Sequence, residues 1–259
     1  MTHRYYAPEM VAHCVHPLSP EESSHAASVM RVRVGDVIEL FDGRGRVAEA
    51  EVETVTKRSV SVRTAAIRIQ SRMPTNRVSL SVAMPRGDSA KELVTRLTEL
   101  GVRELTPVVC KRTQRPPSDG QIAKWHRAVI EACKQCRRNT MMQIHPVCDF
   151  DDDIHSIRES TLFHIAHPPE PFALGQTVEP ANSSKCDPHD RDAHRHHVWI
   201  GPEGGFTDDE VTRARAAGCR LMPMGELIYR IETAAVVAAT LLIHASSSES
   251  LTTHPQSKP

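Results

Sequence analysis

A small β-rich domain followed by an α/β domain with parallel strands is the fold class this sequence predicts, and three observations carry it. Residues 31–69 alternate apolar and polar side chains with β-branched enrichment, the pattern of half-buried strands. From residue 78 short apolar runs alternate with stretches of helical periodicity, an order that calls for parallel strands joined by crossover helices. Between the two, at residues 71–76, the alternation stops, and we place a linker there.

Residues 19–30 form a short helix, with Ser19 as N-cap, Pro20 in the first position and Glu22 three residues past the cap. Strands follow through 31–69, with Asp42, Gly43, Arg44 and Gly45 as the turn between two of them. Beyond the linker, 78–84 is a strand. Ala90, Leu93, Val94, Leu97 and Leu100 stripe one helix face, and 105–110 is the next strand. A second helix spans 119–138, with Ile122, Trp125, Val129, Ile130 and Cys133 at helical spacing. Strands at 162–166 and 198–201, a helix opening at Thr207, a short strand at 220–222 and an apolar helix over 231–245 complete the domain. The polar segment 175–197 reads as a surface loop and the last residues as a disordered tail.

The 259 residues include 39% hydrophobic and 25% charged side chains, enough for a buried core and inconsistent with a wholly disordered chain. No apolar run reaches the roughly 18 residues of a membrane span, and the first ten residues lack the basic and apolar regions of a leader. Seven scattered cysteines point to reduced thiols and a cytoplasmic setting. The formal charge is zero, yet residues 1–146 carry +8 and residues 147–259 carry −8. The neutral total is a cancellation, and the basic half offers a surface to an anionic partner.

Chemistry concentrates in two glycine loops. In 200–210 an apolar strand runs into Gly201, Gly204 and Gly205, and Thr207 with Glu210 forms a capping box that opens the next helix. Glycines at a strand end let a ligand approach the backbone, and strand carboxyl ends are where α/β folds bind ligands. Neither a Walker loop nor a dinucleotide fingerprint is present. A second loop, 222–230, contains Gly225 and leads into a helix with Glu232 and Thr233 in its first turn.

These two loops resemble the RsmE family of 16S ribosomal RNA uridine-N3 methyltransferases, within the SPOUT class. The start at His3, Arg4, Tyr5 and Tyr6, then Gly35-Asp36, the turn at 42–45, Pro85-Arg86-Gly87-Asp88, Thr98 to Val102 and residues 128–139 agree with it, so the likeness runs from residue 3 to about 245. The resemblance implies a PUA-like β-barrel domain at 1–73, an α/β-knot (SPOUT) methyltransferase domain at 74–246 with a trefoil knot, and a tail at 247–259. It implies a homodimer acting on 16S ribosomal RNA of the small subunit with S-adenosylmethionine as cofactor. That cofactor would lie against His167, Ile200, Gly201, Gly205, Met224, Gly225, Leu227, Tyr229 and Arg230. Glu226-Leu227 stand where the family has proline-arginine, and Tyr229 where it has leucine.

Methyl transfer to a uracil N3 needs alignment of the acceptor, removal of its proton and a cation beside the anion formed. Arg230 is the candidate cation, and Glu203, or Glu232, the candidate proton acceptor. For RNA phosphates the candidates are Arg4, Arg31, Arg33, Arg86, Lys111, Arg112, Arg115, Lys134, Arg137 and Arg138, with Tyr5 and Tyr6 for stacking. Arg137 and Arg138 also complement a helix dipole without any ligand. Cys133 and Cys136, with His126 and His145 nearby, lack the second pair of ligands a structural zinc site needs, so no metal is expected. A non-catalytic RNA-binding module with a degenerate cofactor loop is the alternative reading.

Overall fold

The computed structural model describes residues 3–56, 58–155, 161–168 and 195–244. It divides into two compact units, residues 1–73 with 127–141, and residues 74–126 with 142–259. The linker expected at 71–76 contains the first division. The second falls inside a helix, which periodicity alone does not mark.

In the first unit, strands β1 (Arg4–Tyr6), β2 (Val15–Pro17), β3 (Val37–Phe41), β4 (Arg46–Val55), β5 (Val60–Thr64) and β6 (Arg68–Ile69) form one sheet. Its order is β1-β3-β4-β5-β2, with β6 also on β4. β1 runs parallel to β3, and the remaining pairings are antiparallel. The alternation puts Ile38, Leu40, Ala48, Ala50, Val52, Val60 and Val62 into one core, where Tyr5, Met10 and Leu18 join them. Helix α1 (Pro20–Ser24) starts as read, with Ser19 accepting from the Glu22 N–H at 3.2 Å and proline in the first turn. It continues as a π-helical turn, His25–Met30.

The alternation at 31–34 is not strand. Arg31 takes a left-handed conformation at φ 55°, and the Asp36 carboxylate accepts from the Arg33 N–H at 2.7 Å. That cap turns the chain before β3 begins. Between β3 and β4, buried Asp42 accepts from the N–H groups of Arg44 and Arg46 at 2.8 and 2.9 Å, while Gly43 and Gly45 take positive φ.

The second unit holds strands β7 (Arg77–Val82), β8 (Glu104–Val109), β9 (Gln143–Ile144), β10 (Cys148–Asp149), β11 (Thr161–Ala166), β12 (Arg195–Ile200) and β13 (Arg220–Met222). All pairings are parallel, in the order β10-β8-β7-β12-β11-β13 with β9 on β8. β12 fills the place between β7 and β11, although β11 precedes it in sequence. The polar loop read as far as 197 therefore ends sooner, because 195–197 are strand and His196 is buried. The rest of that loop, with Cys186, His189 and His194, and the tail at 247–259 lie outside the described residues.

Helices α2 (Asp88–Leu100), α5 (Asp208–Ala216) and α6 (Ile231–His244) stand where periodicity put them, and α4 (Phe150–His155) is an addition. Helix α3 (Asp119–Cys136) ends two residues early, where Arg137 turns left-handed at φ 60°. α2 buries Ala90, Leu93, Val94 and Leu97, and α6 buries Ala234, Ala235, Ala238, Ala239 and Leu242. α6 packs on α2, β7 and β12. Its last turn is closed by the buried Asn76 amide, which donates to the carbonyls of Leu242 and Ile243 at 3.0 and 3.3 Å.

Candidate functional site

The carboxyl ends of β11 and β12 open into a cavity of about 340 Å³ in the second unit, walled by Ala166 to Pro168, by residues 200–206 and by the loop after β13. Ile200 is the last residue of its strand, so the chain leaves the sheet at Gly201. Gly205 turns at φ 69° and Gly225 at φ 109°, conformations that β-carbons disfavour. Side chains would also crowd the loop itself. A Cβ on Gly201 would stand 3.0 Å from the Phe206 ring, and one on Gly204 3.2 Å from the Arg112 side chain. The glycines thus let the loop pack closely against Phe206 and Arg112 while it lines the cavity.

Three side chains hold that loop. Thr207 caps α5, and the Thr207–Glu210 capping box is closed in both directions. Buried Glu210 accepts from the Thr207 N–H at 2.7 Å and, from another loop, the Lys111 N–H at 2.7 Å. Arg112 donates to the carbonyls of Gly204 and Phe206. The capping box was legible in the spacing. The reach to Lys111 and the Arg112 contacts were not, since nothing in local sequence pairs residues a hundred positions apart.

The structure brings His167, Ile200, Gly201, Gly205, Met224, Gly225, Leu227 and Tyr229 together around this one cavity, with Glu203 on its wall. Arg230 is exposed and lies between lining residues Tyr229 and Ile231, and its carbonyl accepts from Ala234 in the first turn of α6. Leu227 and Ile228 are 77% and 85% exposed.

Of the basic residues read as RNA contacts, Arg31, Arg33, Arg86, Lys111, Arg112, Arg115 and Arg137 are exposed. Arg4 and Arg138 are buried and are corrected to structural roles. Arg4 donates to the carbonyls of Cys133 and Arg138 and to the Asn139 side chain, pairs with Glu39 at 2.8 Å and lies 4.2 Å from the Phe41 ring centroid. Arg138 donates from Nε to the Thr140 carbonyl. Lys134 is occupied by Glu22 and Glu131 at 3.0 and 2.7 Å, and Tyr5 is wholly buried. A sequence pattern locates charge but not whether a polar cage already neutralises it. Cys133 faces the core, and burial pushes its thiol up to about 11.

A parallel sheet with a glycine-loop cavity at the carboxyl ends of its strands, in a chain that also carries a separate β-rich unit, places the protein among two-unit α/β proteins that bind a small ligand at the strand ends. The profile of the RNA methyltransferase domain matches residues 71–243, and that of the RNA methyltransferase PUA domain matches residues 18–64. The chain belongs to the RNA methyltransferase family. It is 27% identical over 235 residues to the ribosomal RNA small subunit methyltransferase E of Synechocystis, covering 90% of this chain and 74% of that one. It is 25% identical to the enzyme of that name from Bacillus subtilis, covering 87% and 88%. A putative methyltransferase from Legionella pneumophila, solved with its bound cofactor SAM, superposes with a TM-score of 0.81 at 28% identity, over 95% of this chain and 98% of that one. The fold class is a PUA-like unit joined to an α/β-knot methyltransferase unit.

Proposed function

We propose that this chain transfers the methyl group of S-adenosylmethionine to N3 of a uridine in 16S ribosomal RNA of the small subunit, acting as a cytoplasmic homodimer. The observation that carries this reading is the convergence of both glycine loops on one cavity at the carboxyl ends of β11 and β12. The domain of residues 1–73 and the exposed arginines Arg31, Arg33, Arg86 and Arg137 are the RNA-contacting parts in this reading. The described cysteines are free thiols, in keeping with a reducing compartment. Among the described residues no helix is long and apolar enough to cross a membrane.

The cavity residues fit a bent, cationic cofactor. The glycines at 201, 204 and 205 leave the backbone of the 200–205 loop open to close approach, and Ile200, Ile231 and Ala234 provide apolar wall. The carboxylates of Glu203 and Asp208 add negative charge beside it. When bound, the sulfonium cofactor supplies the electrophilic methyl group. The protein's own work is to hold the uracil imide in line with that group and to manage its proton. In this reading Glu203, on the cavity wall, accepts the N3 proton, and Arg230, next to lining residue Tyr229, stabilises the charge left on the uracil oxygens. The Arg112 and Glu210 contacts keep the loop in one shape before the ligand arrives, which lowers the ordering cost of binding.

Mass analysis of 16S ribosomal RNA nucleosides from a strain lacking the gene tests the assignment. Loss of a 3-methyluridine, restored by the gene, is the expected result; an unchanged nucleoside profile would remove it. Calorimetric titration with S-adenosylmethionine separates an enzyme from a binding module, which would give no heat.

A further inference from the structure

The second unit has another cavity, of about 790 Å³, at the opposite edge of the same sheet. The first is walled by residues at or just beyond the carboxyl ends of β11 and β12. This one is walled by the residues that begin β7, β8, β11 and β12, namely Arg77, Glu104, Thr161 and Arg195, together with Arg103. A six-residue strand separates the two ends by about 17–20 Å.

Three guanidinium groups meet there because of the strand order. Arg77 and Arg195 are direct partners across the β7–β12 pairing. Arg103 donates its backbone N–H to Val78 at 2.9 Å, which places it beside Arg77 on the other flank. Like charges on adjacent strands are unfavourable, and burial, followed by the charge of Arg77, holds the Arg103 guanidinium below its usual range, with Arg195 acting in the same sense and Glu104 opposing.

The two acids that line this cavity, Glu104 and Asp153, already have partners of their own. Glu104 pairs with His145 at 3.3 Å. Asp153 accepts from Ser81 at 2.5 Å and from the Trp199 indole at 2.7 Å. Among the described residues none of the three arginines has an ion pair, and Arg103 Nε is buried without a hydrogen-bond partner. Elsewhere in this unit Arg96 pairs with Glu92 and Arg213 with Asp151. A buried donor left unmatched and three mutually repelling cations are costly features, and one anion with several acceptor oxygens relieves both.

We propose that Arg77, Arg103 and Arg195 form a second, phosphate-binding pocket at the amino edge of the sheet, separate from the methyl-transfer cavity. Guanidinium forks match phosphate oxygens in pairs, and the volume admits two or more linked phosphates. Those phosphates belong either to the backbone of an RNA strand or to a free nucleotide.

The test titrates full-length protein with tripolyphosphate, with ATP and with a single-stranded RNA oligonucleotide, comparing the parent, R77Q/R195Q, R103Q and the control R213Q. Tripolyphosphate should bind the parent and R213Q alike and bind R77Q/R195Q and R103Q at least tenfold more weakly. S-adenosylmethionine affinity should be the same in all four, which also shows that the variants fold. RNA affinity that falls in the double variant, with a salt slope smaller by about 0.7 per lost contact, assigns the pocket to the RNA backbone. ATP affinity that falls while RNA affinity does not assigns it to a nucleotide. No heat with tripolyphosphate, or equal affinity in parent and double variant, overturns the proposal.

Discussion

Arg112 donates from Nη1 to the carbonyl oxygen of Gly204 at 2.6 Å and to that of Phe206 at 3.2 Å, so a side chain from the loop after β8 holds both ends of the glycine turn after β12. This exposed guanidinium, read from sequence as an RNA contact, braces the cavity wall. Substitution Arg112→Ala should weaken S-adenosylmethionine binding about three- to tenfold, on the order of 1 kcal/mol for exposed charge-assisted bonds, with the melting temperature little changed. Calorimetry and a thermal melt on the same sample check both halves.

Glu210 is buried and accepts from the N–H groups of Thr207 and Lys111. Glu210→Ala strands those donors and should lower stability by about 2–4 kcal/mol. Urea unfolding measures this, and a loss under about 1 kcal/mol would mean the carboxylate is not the tie between the two loops.

Two glycines with positive φ should respond differently to alanine. At Gly205 a Cβ meets nothing within 4 Å, so only the left-handed strain of about 1 kcal/mol applies. At Gly101, the C-cap of α2 at φ 94°, the Cβ would stand 2.6 Å from the Pro74 ring. Gly101→Ala adds that overlap to the strain and should cost more than about 2 kcal/mol. Parallel denaturation curves of the two variants give the order directly.

His164 is pushed down to about 4, first by burial and then by the charges of His196, Arg220 and His197. Its folded value lies below the unfolded value of about 6.5, so the folded state binds fewer protons between the two. This stabilisation is full above pH 6.5 and is lost as the pH falls toward 4, about 2 kcal/mol after allowance for solvent screening. Burial of His197 acts in the same direction. Stability measured from pH 7 to 4 should fall less steeply in His164→Phe than in the parent.

Arg230→Ala should abolish methylation and leave the melting temperature and circular dichroism unchanged, because the exposed side chain packs against no core cluster while its carbonyl serves α6 in any residue. Turnover retained in a methyl-transfer assay on 16S RNA would take Arg230 out of the mechanism.

Local physics wrote much of this molecule in plain sight. Ser19 and Pro20 start α1, Thr207 and Glu210 start α5, and the striped helix of Ala90, Leu93, Val94 and Leu97 buries the face its spacing implies. The glycines at 201, 204 and 205 fall on the cavity wall, and the structure needs them there for its own packing against Phe206 and Arg112 and for the positive φ of Gly205. The Arg-Val-Arg-Val alternation at 31–34 misled because an Asp36 cap outweighed a two-residue pattern.

What the chain alone determined is therefore the set of elements, their caps and the loops that carry chemistry. Only the tertiary structure decided which charges remain free for function. Arg4 and Arg137 look alike in sequence, yet one is enclosed by Glu39 and three backbone or amide oxygens while the other is exposed. Arg77, Arg103 and Arg195 lie far apart in the chain and meet because β12 inserts beside β7. Desolvation and pairing depend on neighbours in space, and strand order, which no local propensity encodes, supplies those neighbours.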